Sequence, residues 1–517
     1  MTAMVRPDSI LFPAEFQINN TLVHVWDPVD VLEQMSTWFS FLDNAPGFER
    51  LKLEGLRFMV EEWLKMSKDR ELKSLMSSML EWEQSIIYGH STHPLHCTCR
   101  SLPPLKEVTP ASIRAMQNPT LAVIAVPRSH VNMVGDYQRL LQPLLEKLDI
   151  GQAEPGKIHT LCLEQQLPII ESHFPGVTLI KTIEGHANAQ ASLQTFTLDP
   201  WLQFPFNLKL SLACQIKSSM STVVPRAACE SPFISDILAR ILHQSFWVFK
   251  EVASLTGNKN NHDIAQHISC TLQEDLEPRA MANGELLAPA AALQEKVPGF
   301  GVTNAQKFLG LKTVGQRMQW FHRYIKLLFN VALPPAVQHG VGLELYPQNI
   351  VVRINVKTKE LTGFCIRDFS GCRLHRQTLT ENGMPPHWEF PESEAVTDNL
   401  ERVWDLVDQS LIQSHVAGLL YSLGIDSDSG WELVEKQLFE TLRAIHHPRS
   451  ELMYRHLTND TTKLKCFLTE RLKGFDRSNI EINAPNYLCN VANNKKKRPQ
   501  SAFHGGLEDT KLRRYNN

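Results

Sequence analysis

Three hydrophobic patterns succeed one another along this chain. Between residues 28 and 88 apolar positions recur at helical spacing, and Leu56, Val60, Trp63 and Leu64 share one face, which predicts a helical N-terminal region. From about residue 119 the apolar positions bunch into short runs. Residues 121–126, 158–163 and 177–180 read as buried strands bounded by Gly or Pro, and 208–216 is a further strand candidate. Ser231 and Pro232 read as an N-cap and a first helical position, with Ile234, Ile237, Leu238, Ile241 and Leu242 on the buried face that follows. Residues 254–312 are rich in Asn, Gly and Pro, show no clear period and read in part as a loop or insertion. Met318, Phe321, Ile325 and Leu328 then mark an amphipathic helix, stopped by Pro334 and Pro335. Two strand-like runs follow, 350–356 and the stretch ending at Arg367, joined by the polar link 357–360 as a hairpin. Residues 395–475 read mostly as helix again. This order predicts an α+β fold with an antiparallel sheet in the second half.

Composition narrows the function classes. The 517 residues suffice for two or three domains. A hydrophobic content of 43% and a charged content of 21% are those of a soluble globular protein. The net charge of −3 gives no case for nucleic acid or membrane binding through bulk electrostatics. No apolar run is long enough to cross a bilayer, and the first residues lack the apolar stretch of a secretory signal. Ten cysteines spread along the chain fit a reduced, cytoplasmic protein. The tail after 490 carries a Lys495–Arg498 basic run and reads as a solvated end rather than an import signal.

Candidate chemistry concentrates at 339–373. His339, Glu344, Gln348 and Asn349 precede the hairpin, and Arg367 and Asp368 end it, so both groups fall at one end in space. Carboxylates hold Mg²⁺, and amides and guanidinium groups hold phosphate oxygens. A nucleotide-phosphate and metal site is one reading; a solvated hairpin end is the other. His90, His93, His96, Cys97 and Cys99 fall within ten positions, but their spacing fits no common zinc module. Asp426, Asp428 and Gly430 lack the remaining ligands of a calcium loop and read as a turn.

The 339–373 segment also resembles the NRPS-independent siderophore synthetases, the aerobactin-synthetase (IucA/IucC-like) family. Their pattern is approximately H-G-[IV]-[AG]-L-E-A-H-x-Q-N followed by R-D-F-x-G, matched here by His339, Gly340, Glu344, Gln348, Asn349, Arg367, Asp368, Phe369 and Gly371, with Tyr346 in place of the second histidine. A G-H-P-x-H-P-x-x-K motif is matched by Gly89, His90, His93 and Pro94, with Ser91 and Cys97 as departures. A Ser-x-Arg-Thr element is matched by Ser192 and Thr195, with Gln194 replacing the arginine. A fourth element is matched by Lys209 to Leu212, Ile216 and Ser218, with Lys217 replacing a threonine and Ser221 an arginine.

The resemblance implies a hand-like fold of thumb, fingers and palm with ATP in the central cleft. It divides the chain into an N-terminal helical region (1–85), an IucA/IucC-like domain (86–310), a C-terminal palm (311–490) and a basic tail (491–517). It implies an ATP- and Mg²⁺-dependent enzyme that adenylates a carboxylate, citrate or a derivative, and condenses it with a polyamine or amino alcohol; many relatives are homodimers. On this basis Ser192, Gln194, Thr195, Lys209, Gln348, Asn349 and Arg367 would contact ATP. Glu344 and Asp368 would hold Mg²⁺, His90, His93 and Ser218 would meet substrate, and Lys217, Ser221 and Tyr346 would occupy catalytic positions. The substitutions at 97, 194, 221 and 346 each remove a cation or potential cation. The alternative is therefore a catalytically degenerate member that binds nucleotide or a partner synthetase.

Overall fold

The computed structural model describes residues 13–18, 20–27, 30–31, 73–86, 99–106, 116–216, 219–220, 222–258, 261–297, 300–384, 393, 395–465 and 481–489. Leu56, Val60, Trp63 and Leu64 lie outside these residues. The described part of the N-terminal region holds a hairpin, Ala14–Ile18 with Thr21–Val25, and the helix Met79–Gln84, which a Ser78–Glu81 capping box starts.

Of the three predicted buried strands, those at 121–126 and 158–163 are present and buried, whereas the one at 177–180 is present but exposed along most of its length, with Leu179 and Ile180 open to solvent. The candidate 208–216 is two strands, Phe206–Leu210 and Cys214–Ile216, in different sheets. Lys157–Leu163, Leu121–Pro127 and Thr178–Ile183 form a three-stranded antiparallel sheet in that order. A second sheet has six antiparallel strands in the order Val131–Val134, Glu251–Gly257, Cys270–Glu274, Phe206–Leu210, Thr195–Leu198, Ala187–Ala189. Leu208, Leu210, Leu255, Leu272 and Phe196 join the first sheet and the helix Tyr137–Lys147 in one apolar core. On the alternate face, cross-strand register puts Thr195, Lys209, Thr271 and Ser254 in one polar row.

A larger core lies between a mixed sheet and helices. Phe246–Val248 runs parallel to Leu361–Ile366, which pairs antiparallel with Ile350–Asn355, itself paired with Glu285–Pro289. The helix Val314–Gln338 and the helices of 400–457 share this core. No helix of the described residues is long and apolar enough to cross a membrane.

Four further expectations need correction. The helix predicted from Ser231 begins at Pro225 and runs to Ile241, with Pro232 inside it. An interior proline frees the carbonyl four residues back, and here the hydroxyls of Ser254 (2.6 Å) and Ser231 (3.3 Å) donate to the oxygen of Ala228. The helix expected to stop at Pro334 continues to Gln338, because Leu333, Ala336 and Val337 are fully buried in the larger core. The stretch 254–312, read in part as a loop or insertion, contains the strands Cys270–Glu274 and Glu285–Pro289 and four short α-helices. Asp426 is not in a turn: its side chain accepts from the Ser429 N–H and caps the helix Ser427–Ala444.

Candidate active site

Side-chain ion pairs bring three distant segments together. Lys209 sits mid-strand on the polar row of the six-stranded sheet, beside Thr195. Its Nζ lies 2.8 Å from Glu251 Oε1 and 3.4 Å from Asp368 Oδ1. Burial disfavours the charged lysine, but Asp368 and Glu251 outweigh it and raise the ammonium's pKa above the ordinary value. Burial likewise pushes the Asp368 carboxyl up, yet Lys209 and the Ser370 hydroxyl and N–H hold it down at about 2. Asp368 therefore stays ionised across the working pH range.

Asp368 opens a tight turn with φ +63° directly after the strand Leu361–Ile366. Glu344 reaches the same turn from the other side. A Cβ on Gly371 would lie 2.0 Å from the Glu344 carboxyl carbon, so only glycine lets the carboxylate lie there. Gly340, at φ +64°, is equally constrained, with His375 and Thr378 2.9 Å from a would-be Cβ. The spacing of the two motif glycines thus has a local cause.

Arg367 acts as a clamp. Its Nε and Nη2 donate to the Gln348 carbonyl (2.9 and 2.7 Å), and Nη1 reaches Gln190 Oε1 (2.9 Å) and Glu83 Oε1 (2.6 Å). Glu83 Oε2 in turn accepts from the Ala191 N–H. One guanidinium so ties the helix Met79–Gln84, the 190–195 turn and the hairpin end together. Arg367, which the resemblance places against ATP, is here engaged by Gln348, Gln190 and Glu83. Ser192 Oγ accepts from the Gln194 and Thr195 N–H groups and shapes the turn beside Lys209. Asn349 Nδ2 donates to the Glu344 carbonyl, fixing that loop.

Tyr346 is 6% exposed, and its hydroxyl donates weakly to Gln409 Oε1 at 3.4 Å. Burial, with the charges of Glu344 and Glu481, raises its phenol above the ordinary range. That shift favours the protonated phenol. His90, His93, Cys97, Lys217, Ser218 and Ser221 lie outside the described residues. Glu83, Gln190 and Glu251 are site residues that sequence reasoning missed. Their one signal is a carboxylate or amide set in an apolar run.

The donor set suits a metal–triphosphate. Mg²⁺ is commonly held by one or two carboxylates plus phosphate oxygens, and Asp368 and Glu344 flank one turn. The described residues hold no group of three or more His, Cys, Asp or Glu side chains placed for a metal, so phosphate oxygens and water would complete the shell. Among the described residues, Gln348 Oε1 and Thr271 Oγ1 are buried without hydrogen-bond partners. Lys209 supplies the cation.

The model of the IucA / IucC family matches residues 175–295, and that of the ferric iron reductase FhuF-like transporter matches residues 318–479. The NRPS-independent siderophore synthetase-like protein ankE of Aspergillus thermomutatus is 37% identical over 91% of this chain and 79% of its own length. The NRPS-independent siderophore synthetase rfs of Rhizopus delemar is 28% identical over 81% of this chain and 68% of its own. Among solved structures, ATP-bound aerobactin synthetase IucA from Klebsiella pneumoniae superimposes with a TM-score of 0.71 at 16% identity, covering 94% of this chain and 92% of that one. The α+β fold with its cleft motifs is therefore that of the siderophore synthetases, and the chain belongs to the NRPS-independent siderophore synthetase family.

Proposed function

We propose that this protein activates a carboxylate with ATP and joins it to an amine or alcohol. The observation that carries this reading is the convergence of Lys209, Asp368 and Glu344 from separate segments on one turn. An acid oxygen attacks the α-phosphorus of ATP, pyrophosphate leaves, and an acyl adenylate forms. The amine or alcohol then attacks the acyl carbon, gives up its proton, and AMP departs. Asp368 and Glu344 would hold Mg²⁺, which when bound offsets charge on the phosphates. Lys209 holds a phosphate oxygen, the 192–195 turn and Gln348 and Asn349 orient the nucleotide, and Arg367 keeps those pieces in register. Citrate, which the family resemblance implies, is the first acid to test.

One observation favours a second reading, a nucleotide-binding member without condensation. Tyr346 is packed with its phenol protonated where the family resemblance places a histidine. Citrate-dependent pyrophosphate release with Mg-ATP, with hydroxylamine as trap, separates the two. Release above the no-citrate blank supports carboxylate activation. ATP binding by calorimetry without release from any carboxylate supports the second reading. Ser221→Arg with Tyr346→His sharpens the comparison: a gain in activity marks a decayed site, a loss a rebuilt one.

A further inference from the structure

Lys209 is held by two carboxylates of different character. The Glu251 side chain is 4% exposed and 2.8 Å from the ammonium, whereas Asp368 is 40% exposed and 3.4 Å away. Glu251 is also fixed through its backbone, whose N–H donates to Ser235 Oγ at 2.9 Å on the helix Pro225–Ile241. A short contact between desolvated charges is stronger than a longer one open to water.

We propose that Glu251 is a positioning residue that anchors Lys209, so that metal–nucleotide binding at Asp368 breaks only the Lys209–Asp368 contact. The ammonium stays tethered within the cleft and turns to a phosphate oxygen. Without Glu251 the ammonium keeps only the longer, more exposed Asp368 contact, which holds it loosely and sets it against any cation there. Glu251 lies in none of the sequence motifs, on the strand Glu251–Gly257. The inference rests on the Mg-ATP reading of the same site.

The test uses the full chain and Glu251→Gln, Lys209→Met, the double variant and Asp368→Asn. Acetic anhydride labelling of Lys209, read by mass spectrometry, reports whether the ammonium is held, with no nucleotide present. Labelling is expected to rise about fivefold or more in Glu251→Gln and by less than about twofold in Asp368→Asn. Mg-ATP affinity by calorimetry is expected to fall about tenfold in Glu251→Gln and in Lys209→Met, with the double variant no weaker than Lys209→Met. Unchanged labelling in Glu251→Gln overturns the proposal, as do losses that add in the double variant. Glu251→Asp, one methylene shorter, serves if the Gln variant fails to fold: it draws the carboxylate back from the 2.8 Å contact, so its labelling should rise above wild type but less than the rise expected of Glu251→Gln, and wild-type labelling in it overturns the anchor. If the wild type binds no Mg-ATP while Glu251→Gln still exposes Lys209, the Mg-ATP reading falls and the anchor stands.

Discussion

Gly371 shows how narrowly single residues are constrained at this site. A methyl group there would lie 2.2 Å from Glu344 Oε1 and 2.4 Å from Oε2, so Gly371→Ala must displace the carboxylate. Mg-ATP affinity is expected to fall about tenfold or more, roughly 1.4 kcal/mol, while the melting temperature changes little. Calorimetry beside a thermal melt checks this, and unchanged affinity would place Glu344 outside the metal site. Arg367 is expected to behave oppositely. Its partner Glu83 is wholly buried, so Arg367→Met leaves a charge without its counter-ion and should cost about 3–5 kcal/mol in urea unfolding. Tyr346→Phe removes the 3.4 Å hydrogen bond to Gln409, and pyrophosphate release should stay within about twofold of wild type. Lys209, Asp368 and Glu344 were legible in the sequence because each sits in a short motif. Glu83 and Glu251 were not. Glu251 and Asp368 meet Lys209 across separations of 42 and 159 residues, and no local pattern encodes such a meeting.

At the scale of elements, sequence reading succeeded where burial sets the period and failed where tertiary contacts override a local rule. The strands Leu121–Pro127 and Lys157–Leu163 are nearly wholly buried, and their apolar runs announce them. Pro232 and Pro334 mislead because a helix tolerates proline when its neighbours repair or outweigh the lost hydrogen bond. The nine-residue π-helix Asp408–Val416 left no sequence signal either. Its first residue yields a prediction. Asp408 is 6% exposed and accepts from Thr462 and from Gln413 Nε2 (3.0 Å), yet burial outweighs both and pushes its carboxyl up to about 6. A carboxyl raised in the folded state stabilises the fold below its unfolded value and loses that contribution as pH rises through about 6. Asp408→Asn cannot ionise. Its stability relative to wild type should improve between pH 4 and pH 7, by up to about 3 kcal/mol. Urea unfolding of both proteins at several pH values measures the difference, and a pH-independent gap would mean that Asp408 does not titrate there.

At the scale of the whole molecule, two neutral histidines couple the cores to pH with the opposite sign. His415 is fully buried in the helical part of the structure. Its Nδ1 faces the Leu345 carbonyl at 3.0 Å, which only accepts, so Nδ1 carries the proton and Nε2 accepts from the Tyr324 hydroxyl at 2.8 Å. Burial lowers its pKa to about 4 despite the Leu345 contact. His267 lies beside the sheet core, stacked on His173 at 5.7 Å, and burial followed by the His173 charge lowers it to about 4 as well. Each imidazole binds its proton more readily in the unfolded chain. Their contribution is therefore complete above the unfolded value of about 6.5 and is lost as pH falls toward about 4. Because His415 and His267 belong to different parts of the molecule, acid should loosen both rather than peel one away. In Asp408→Asn the opposing carboxyl is gone, so its urea midpoint should drop more steeply between pH 7 and pH 5 than that of the wild type. His415→Gln in that background should flatten the drop, and an unchanged slope would show that the buried imidazole is not what the acid limb reports.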